Sequence, residues 1–363
     1  MDPELLRTLF VRDDDDDGPA PPCDADNDYD GRMGVRISSV FVILVGSMAG
    51  AVFPIIASRM GANTRYLSWA FFIAKYFGSG VIVATAFIHL LAPANEALTN
   101  RCLTGPISKY SWPEAIALMT IVVLFFVELL VMRFAHFGGD HDDNDAESHG
   151  HQHLDVTGVA TEEGVDEAKN HIPGENHLGH SSEHRTVQVT DKGFEMSLEE
   201  YTAQLTSIFV LEFGIIFHSV FIGLTLAVSG DEFTTLYIVL VFHQTFEGLG
   251  LGSRLATAPW PKSKKSTPYL MGIAYGLATP IAIAIGLGVR KSYPPEGRTT
   301  LIVNGVFDSI SAGILIYTAL VELMAHEFMF SPSMRKAPFR IVLAAYVLLC
   351  LGVALMALLG YWA

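Results

Sequence analysis

Cysteine is scarce: Cys23, Cys102 and Cys350 are the three in 363 residues. No CxxC pair exists among them, so a thiolate zinc cage is excluded. Charged residues make up only 17% of the chain, and half of it is hydrophobic, a balance foreign to a soluble domain of this length. The catalytic metal motif HExxH is missing. Its nearest approach, His326-Glu327-Phe-Met-Phe330, lacks the second histidine. No Ser-His-Asp set stands out either, so a zinc-dependent intramembrane hydrolase is left without its machinery. Basic residues are few, 23 Lys and Arg against 38 Asp and Glu, and no basic face offers itself to nucleic acid.

Long apolar runs fill the space that charge leaves. About 20 apolar residues suffice to cross a bilayer as a helix. Eight segments qualify: 37–58, 69–92, 113–136, 203–228, 233–256, 268–290, 299–324 and 338–362. Each is expected to be helical, because lipid offers the backbone no hydrogen-bond partner and the segment must bond to itself. Pro54, Gly78 with Gly80, Gly214 with Gly223, Gly248 with Gly250, and Thr279-Pro280 fall inside these runs. Small residues there allow close helix packing or a local break. The expected fold is therefore an all-α membrane protein with eight transmembrane helices.

The net charge of −15 sits outside the runs. Residues 1–36 form an acidic tail, with Asp13 to Asp17 unbroken, and residues 137–198 form one long polar segment. Both read as disordered. They divide the chain into a tail, helices one to three over 37–136, a His-rich loop over 137–198, and helices four to eight over 199–363. The connections that include Arg133, Arg254, Lys262, Lys264 and Lys265 hold more Lys and Arg than the opposite set. The positive-inside rule then places the His-rich loop in the cytosol and both termini outside. Cys23 and Cys102 would share the outer side, where a disulfide between them could persist. Cys350 lies inside the eighth segment.

The 13 histidines split into two groups. Nine lie between His136 and His184, among them the run His149-Gly-His151-Gln-His153. Neutral imidazole suits zinc and its neighbours, so His149, His151 and His153 are candidates for a weak, exchangeable metal site; a polar linker is the alternative. The other four, His89, His218, His243 and His326, are inside apolar segments. Ionisable groups there are costly and mark a pathway. His243 and Glu247 are four apart, hence stacked on one helical face. With His218 from the preceding segment they offer two nitrogens and one carboxylate, a plausible zinc set with water filling the open position. Ser219 and Gln244 are secondary candidates. A mutual His243–Glu247 pair that only hides polarity is the competing reading. Lys75, Gly78, Thr85 and His89 fall on one stripe of the second segment. Asp308, Ser311, Ala319, Glu322 and His326 fall on one stripe of the seventh, with Glu327 alongside. His89, Asp308, Glu322, His326 and Glu327 are thus candidates for a transport route; for His89 and His326 a structural hydrogen bond weighs equally.

The runs His218-Ser219-Val-Phe-Ile-Gly223 and His243-Gln-Thr-Phe-Glu247-Gly248 resemble the ZIP family of zinc and iron transporters, in its fungal and plant branch. Phe87-Ile-His-Leu-Leu-Ala-Pro-Ala94 and Leu320-Val-Glu-Leu-Met-Ala-His-Glu327 support the likeness, which covers nearly all of 37–363. The resemblance implies zinc, or another divalent metal such as iron, as a transported substrate rather than a cofactor. It implies movement toward the cytosol by an elevator-like shift, a site on helices four and five, and an inverted repeat of helices one to three and six to eight. It also implies a plasma-membrane homodimer surrounded by lipid. Ile222 stands where bacterial relatives carry an acidic residue, and the sixth segment has no acid, so one main site is expected. A divalent metal efflux carrier is the rival transporter. That class is expected to show six helices and a soluble C-terminal domain, whereas Ala363 follows directly on the eighth segment here. A metal sensor is a third reading.

Overall fold

The computed structural model describes residues 20–24, 29–59, 65–135, 186–188, 195–258, 260–261, 264–290 and 294–362. Eight long helices carry the described chain. They are α1 (Met33–Arg59), α2 (Arg65–Ala84 running on through Thr85–Leu91 and Ala92–Leu98), α3 (Trp112–Ala135) and α4 (Leu198–Val228). Then come α5 (Phe233–Thr257), α6 (Thr267–Val289), α7 (Arg298–Thr318 running on through Ala319–Phe330) and α8 (Phe339–Leu359). Seven are long and apolar enough to cross a membrane; α5 is long enough but falls short in hydropathy. The physical reason is that α5 carries His243, Gln244 and Glu247, whose polarity a hydropathy average cannot separate from a surface helix. The all-α expectation has one small exception. Thr186–Gln188 (β1) pairs antiparallel with Glu195–Ser197 (β2), Val187 opposite Met196. That ribbon lies in the segment read above as structureless. His149, His151 and His153 lie outside the described residues.

The helices form two groups. In one, α1 lies along α5 and α6, and α4 lies along α6. In the other, α8 lies along α2, and α7 lies along α3 and α2. The groups meet where α2 packs on α5 and where α4 packs on α7. The first seam depends on glycine. A Cβ on Gly78 would overlap the Gly250 backbone, and the reverse holds for Gly250. Two missing side chains let the α2 and α5 backbones touch, which brings the polar face of each helix to the other. Apolar side chains such as Leu118, Val122, Phe125 and Phe126 of α3 are exposed, as suits a helix bathed by hydrocarbon.

In α2 and α7 the helical repeat widens midway. Thr85–Leu91 and Ala319–Phe330 are π-helical; the N–H of Ala92, for example, bonds to Phe87 O, five residues back. π segments are rare and cluster at functional sites. Here they fall in the helices that carry His89, Glu322, His326 and Glu327.

Both described ends of the chain lie at one end of the bundle, hereafter the termini end. A disulfide joins Cys23 to Cys102 and so ties the tail to the α2–α3 connection. Cys350 is free. Arg36 is fully buried. It donates to Leu226 O at 3.3 Å, Ala227 O at 3.0 Å and Ser229 O at 2.5 Å, satisfying carbonyls that the last turn of α4 leaves unbonded. A cation at a helix C-terminus is also favoured by the helix dipole. Asp30 completes the clamp, bonding Arg36 at 2.8 Å and pairing with Arg32. The Arg32 bond first, and then the Arg36 bond, hold the Asp30 carboxyl below its ordinary range.

Candidate metal site between the helix groups

At the seam between the two groups, His218, Ser219, His243, Gln244 and Glu247 are all buried. His243 Nε2 and Glu247 Oε2, one turn apart on α5, are 3.5 Å from each other. His218 Nδ1 of α4 is 3.6 Å from Asp308 Oδ1 of α7. The ring centroids of His218 and His243 are 5.8 Å apart. His89 of α2 adds a third ring, 4.8 Å from that of His243. It is held through a 3.0 Å bond between its Nε2 and Met356 O of α8, the structural hydrogen bond that is one of the two readings of this residue. Gln244 Nε2 donates to Ser219 Oγ at 3.3 Å, and the Tyr275 hydroxyl donates to Gln244 O at 2.6 Å. That second bond pins the α5 backbone beside the site.

The informative feature is what these atoms do not touch. Both ring nitrogens of His218, His243 Nε2, both Glu247 oxygens, Gln244 Oε1 and Asp308 Oδ1 are buried with no hydrogen-bond partner in the protein; so are Thr279 Oγ1 and Ser311 Oγ. Buried polar atoms are normally satisfied, and each that is not costs about 1–3 kcal/mol. So many orphans of donor-ligand type in one place suit a cation that comes and goes. Among the described residues, no three or more His, Cys, Asp or Glu side chains stand ready-made around one point. The donors come as two pairs.

A cavity of about 730 Å³ leads from the termini end to this seam. Glu96, Asp231, Glu232 and Glu296 line its mouth, and His89, His218 and Asp308 line its depth. No Lys or Arg is among the described lining residues, so the path favours cations. His243 and Glu247 do not border it and are 1% and 0% exposed.

On the opposite side of the site the picture reverses. Arg254 of α5 donates to Glu327 Oε1 at 2.9 Å and to Glu322 Oε2 at 3.4 Å. Lys75 of α2 also pairs with Glu327. Glu322 and Glu327 are therefore held by cations of the chain itself. His326 is exposed, its ring against Phe330, and does not line the cavity that leads to the site. Sequence reading placed Lys75 on a polar stripe and Arg254 among the basic connections, without seeing either as a partner of these carboxylates. It also passed over Glu128 of α3, which accepts a hydrogen bond from the Tyr317 hydroxyl; a lone acid inside an apolar run was the available clue.

The family described as ZIP Zinc transporter matches residues 33–360. Zinc-regulated transporter 2 of Saccharomyces cerevisiae is 45% identical over 98% of this chain and 99% of its own length. Zinc-regulated transporter 1 of Schizosaccharomyces pombe is 39% identical over 99% of this chain and 95% of its own. Zinc transporter 9 of Oryza sativa subsp. japonica is 33% identical over 94% and 92%. These relatives are transporters rather than enzymes, which sets the hydrolase reading aside. The match is also to a different family from the efflux carriers weighed above. With this match over nearly the whole chain, and with seven helices long and apolar enough to cross a membrane, the chain belongs to the ZIP zinc transporter family.

Proposed function

We propose that this chain carries zinc through a membrane, from the termini end to the opposite end, with His218, His243 and Glu247 as the main ligands. The observation that carries the reading is the set of buried, unpartnered nitrogens and oxygens at the foot of an acid-lined cavity. Neutral imidazole and carboxylate match zinc in softness and charge. Because the donors stand as two pairs on different helices, closing them around one ion requires a small relative movement of the groups. Movement of the α1, α4, α5 and α6 group against the other is an elevator-like step, supported by the position of the site on their seam. An inverted repeat is supported by the shared design of α2 and α7: each turns from α to π after about the same length while running in opposite directions through the bundle.

The termini end is proposed as the extracellular face of the plasma membrane, and transport as inward. The Cys23–Cys102 disulfide supports this, since such bonds persist in oxidising compartments. A homodimer in lipid completes the proposal.

The test is initial zinc uptake into vesicles containing the purified full chain. His243→Ala and Glu247→Ala are expected to lose saturable uptake while remaining folded in the membrane. Wild-type uptake by both variants would overturn the reading.

A further inference from the structure

The two donor pairs are not equivalent in access. His218 and Asp308 line the cavity, whereas His243 and Glu247 lie behind it and are almost fully enclosed. An ion arriving from the termini end therefore meets the His218–Asp308 pair first. The spacing of that pair carries chemical information. At 3.6 Å, with neither His218 Nδ1 nor Asp308 Oδ1 bonded to any group, it is not a hydrogen bond. Two donors held by one tetrahedral zinc at about 2.0–2.2 Å lie roughly 3.3–3.6 Å apart. The deeper pair, at 3.5 Å, has the same spacing.

We propose that Asp308 is a direct ligand of the transported ion and that His218 with Asp308 forms a loading position, from which the ion passes to His243 and Glu247. This rests on the reading that the chain transports zinc, and it adds a ligand from α7, a helix of the opposite group. Two protein donors leave the remaining coordination positions to water, which the open cavity can supply. That fits an ion in transit: two ligands hold it weakly enough to let go. Its carboxylate also gives the loading position a negative charge beside a neutral imidazole, where water alone would give none. A ligand on α7 couples loading to the seam, because an ion bridging His218 of α4 and Asp308 of α7 joins the two helix groups. Passing it to His243 and Glu247, both on α5, releases that bridge and frees one group to move against the other.

Asp308→Asn is nearly isosteric and keeps a neutral acceptor, and Asp308→Cys offers a softer ligand. In vesicles containing the full chain, Asp308→Asn is expected to raise the zinc KM by at least the roughly 10–100-fold that losing an outer-shell partner of a metal ligand gives, with Vmax largely kept. Calorimetric zinc binding to the purified chain should weaken by a similar factor. Asp308→Cys is expected to shift the preference from zinc toward cadmium, since thiolate favours the softer ion. A group that only oriented His218 would weaken uptake of both metals alike, so an unchanged cadmium-to-zinc ratio in Asp308→Cys overturns the ligand assignment. A wild-type KM in Asp308→Asn does the same. If His243→Ala and Glu247→Ala abolish uptake while Asp308→Asn keeps its KM, only this assignment fails. If those two variants transport normally, the broader reading fails with it.

Discussion

Replacing Arg254 with Met tests the charge network on the far side of the site. Arg254 is 9% exposed and serves two carboxylates, Glu322 at 8% and Glu327 at 17%. Glu327 would keep Lys75 as a partner; Glu322 has no second cation among its described ion pairs. The substitution therefore strands one buried carboxylate. Breaking a buried pair by removing one partner costs about 3–5 kcal/mol, whereas removing both partners is often neutral. If the whole penalty falls on the arrangement with the network closed, each 1.4 kcal/mol is tenfold, and that arrangement loses ground by roughly 100-fold to a few thousandfold. The expected order of thermal stability in detergent is wild type above Arg254→Met, with Arg254→Met/Glu322→Gln recovering most of the loss. Glu322→Gln alone should fall less than Arg254→Met, because Arg254 retains Glu327. The four proteins form a double-mutant cycle, and residues in one ion-pair network should couple in it. A double variant no more stable than Arg254→Met would refute the argument, since the penalty would then not come from a stranded Glu322.

Three further outcomes are expected. Apparent zinc affinity should fall as the solution at the termini end is acidified, because protons compete with the ion for imidazole nitrogen and carboxylate oxygen; uptake rates at buffered free zinc check this, and an affinity that stays constant on acidification while the chain remains folded contradicts the two-histidine site. Asp30→Asn should lower thermal stability at neutral pH. Because the folded Asp30 carboxyl titrates below its ordinary 3.8, its contribution is full above that value and is lost as pH falls through the lowered one, so wild type and variant should converge only below pH 3.8; an equal gap at all pH values would contradict the clamp. Mass spectrometry of native membranes should find a Cys23–Cys102 linked peptide with Cys350 reduced; both outer thiols free would dispose of the bridge.

Much of the architecture was legible along the chain. The apolar runs matched the helices closely because lipid leaves the backbone one solution. Run 233–256 was read as an apolar run with the rest, although the helix there falls short of the other seven in hydropathy. The ends were less legible. Run 69–92 became Arg65–Leu98, and run 299–324 continued to Phe330, because polar residues such as Glu96, His326 and Glu327 interrupt the apolar pattern without ending the helix. The ribbon at Thr186–Gln188 and Glu195–Ser197 left no clear trace in a polar, low-periodicity segment.

The sequence by itself determined an all-helical membrane fold, the residue types at the candidate site and the stacking of His243 on Glu247, since residues four apart on a helix share a face. Tertiary structure alone decided which acids face a histidine and which face Arg254. A uniform α-helix would put Asp308, Glu322 and His326 on one stripe. Instead, the π segment over Ala319–Phe330 changes the register, so Glu322 and Glu327, five residues apart, both reach Arg254 while His326 turns outward. Asp308, in the preceding α segment, faces His218 across the seam, on a contact that no spacing within one helix can encode.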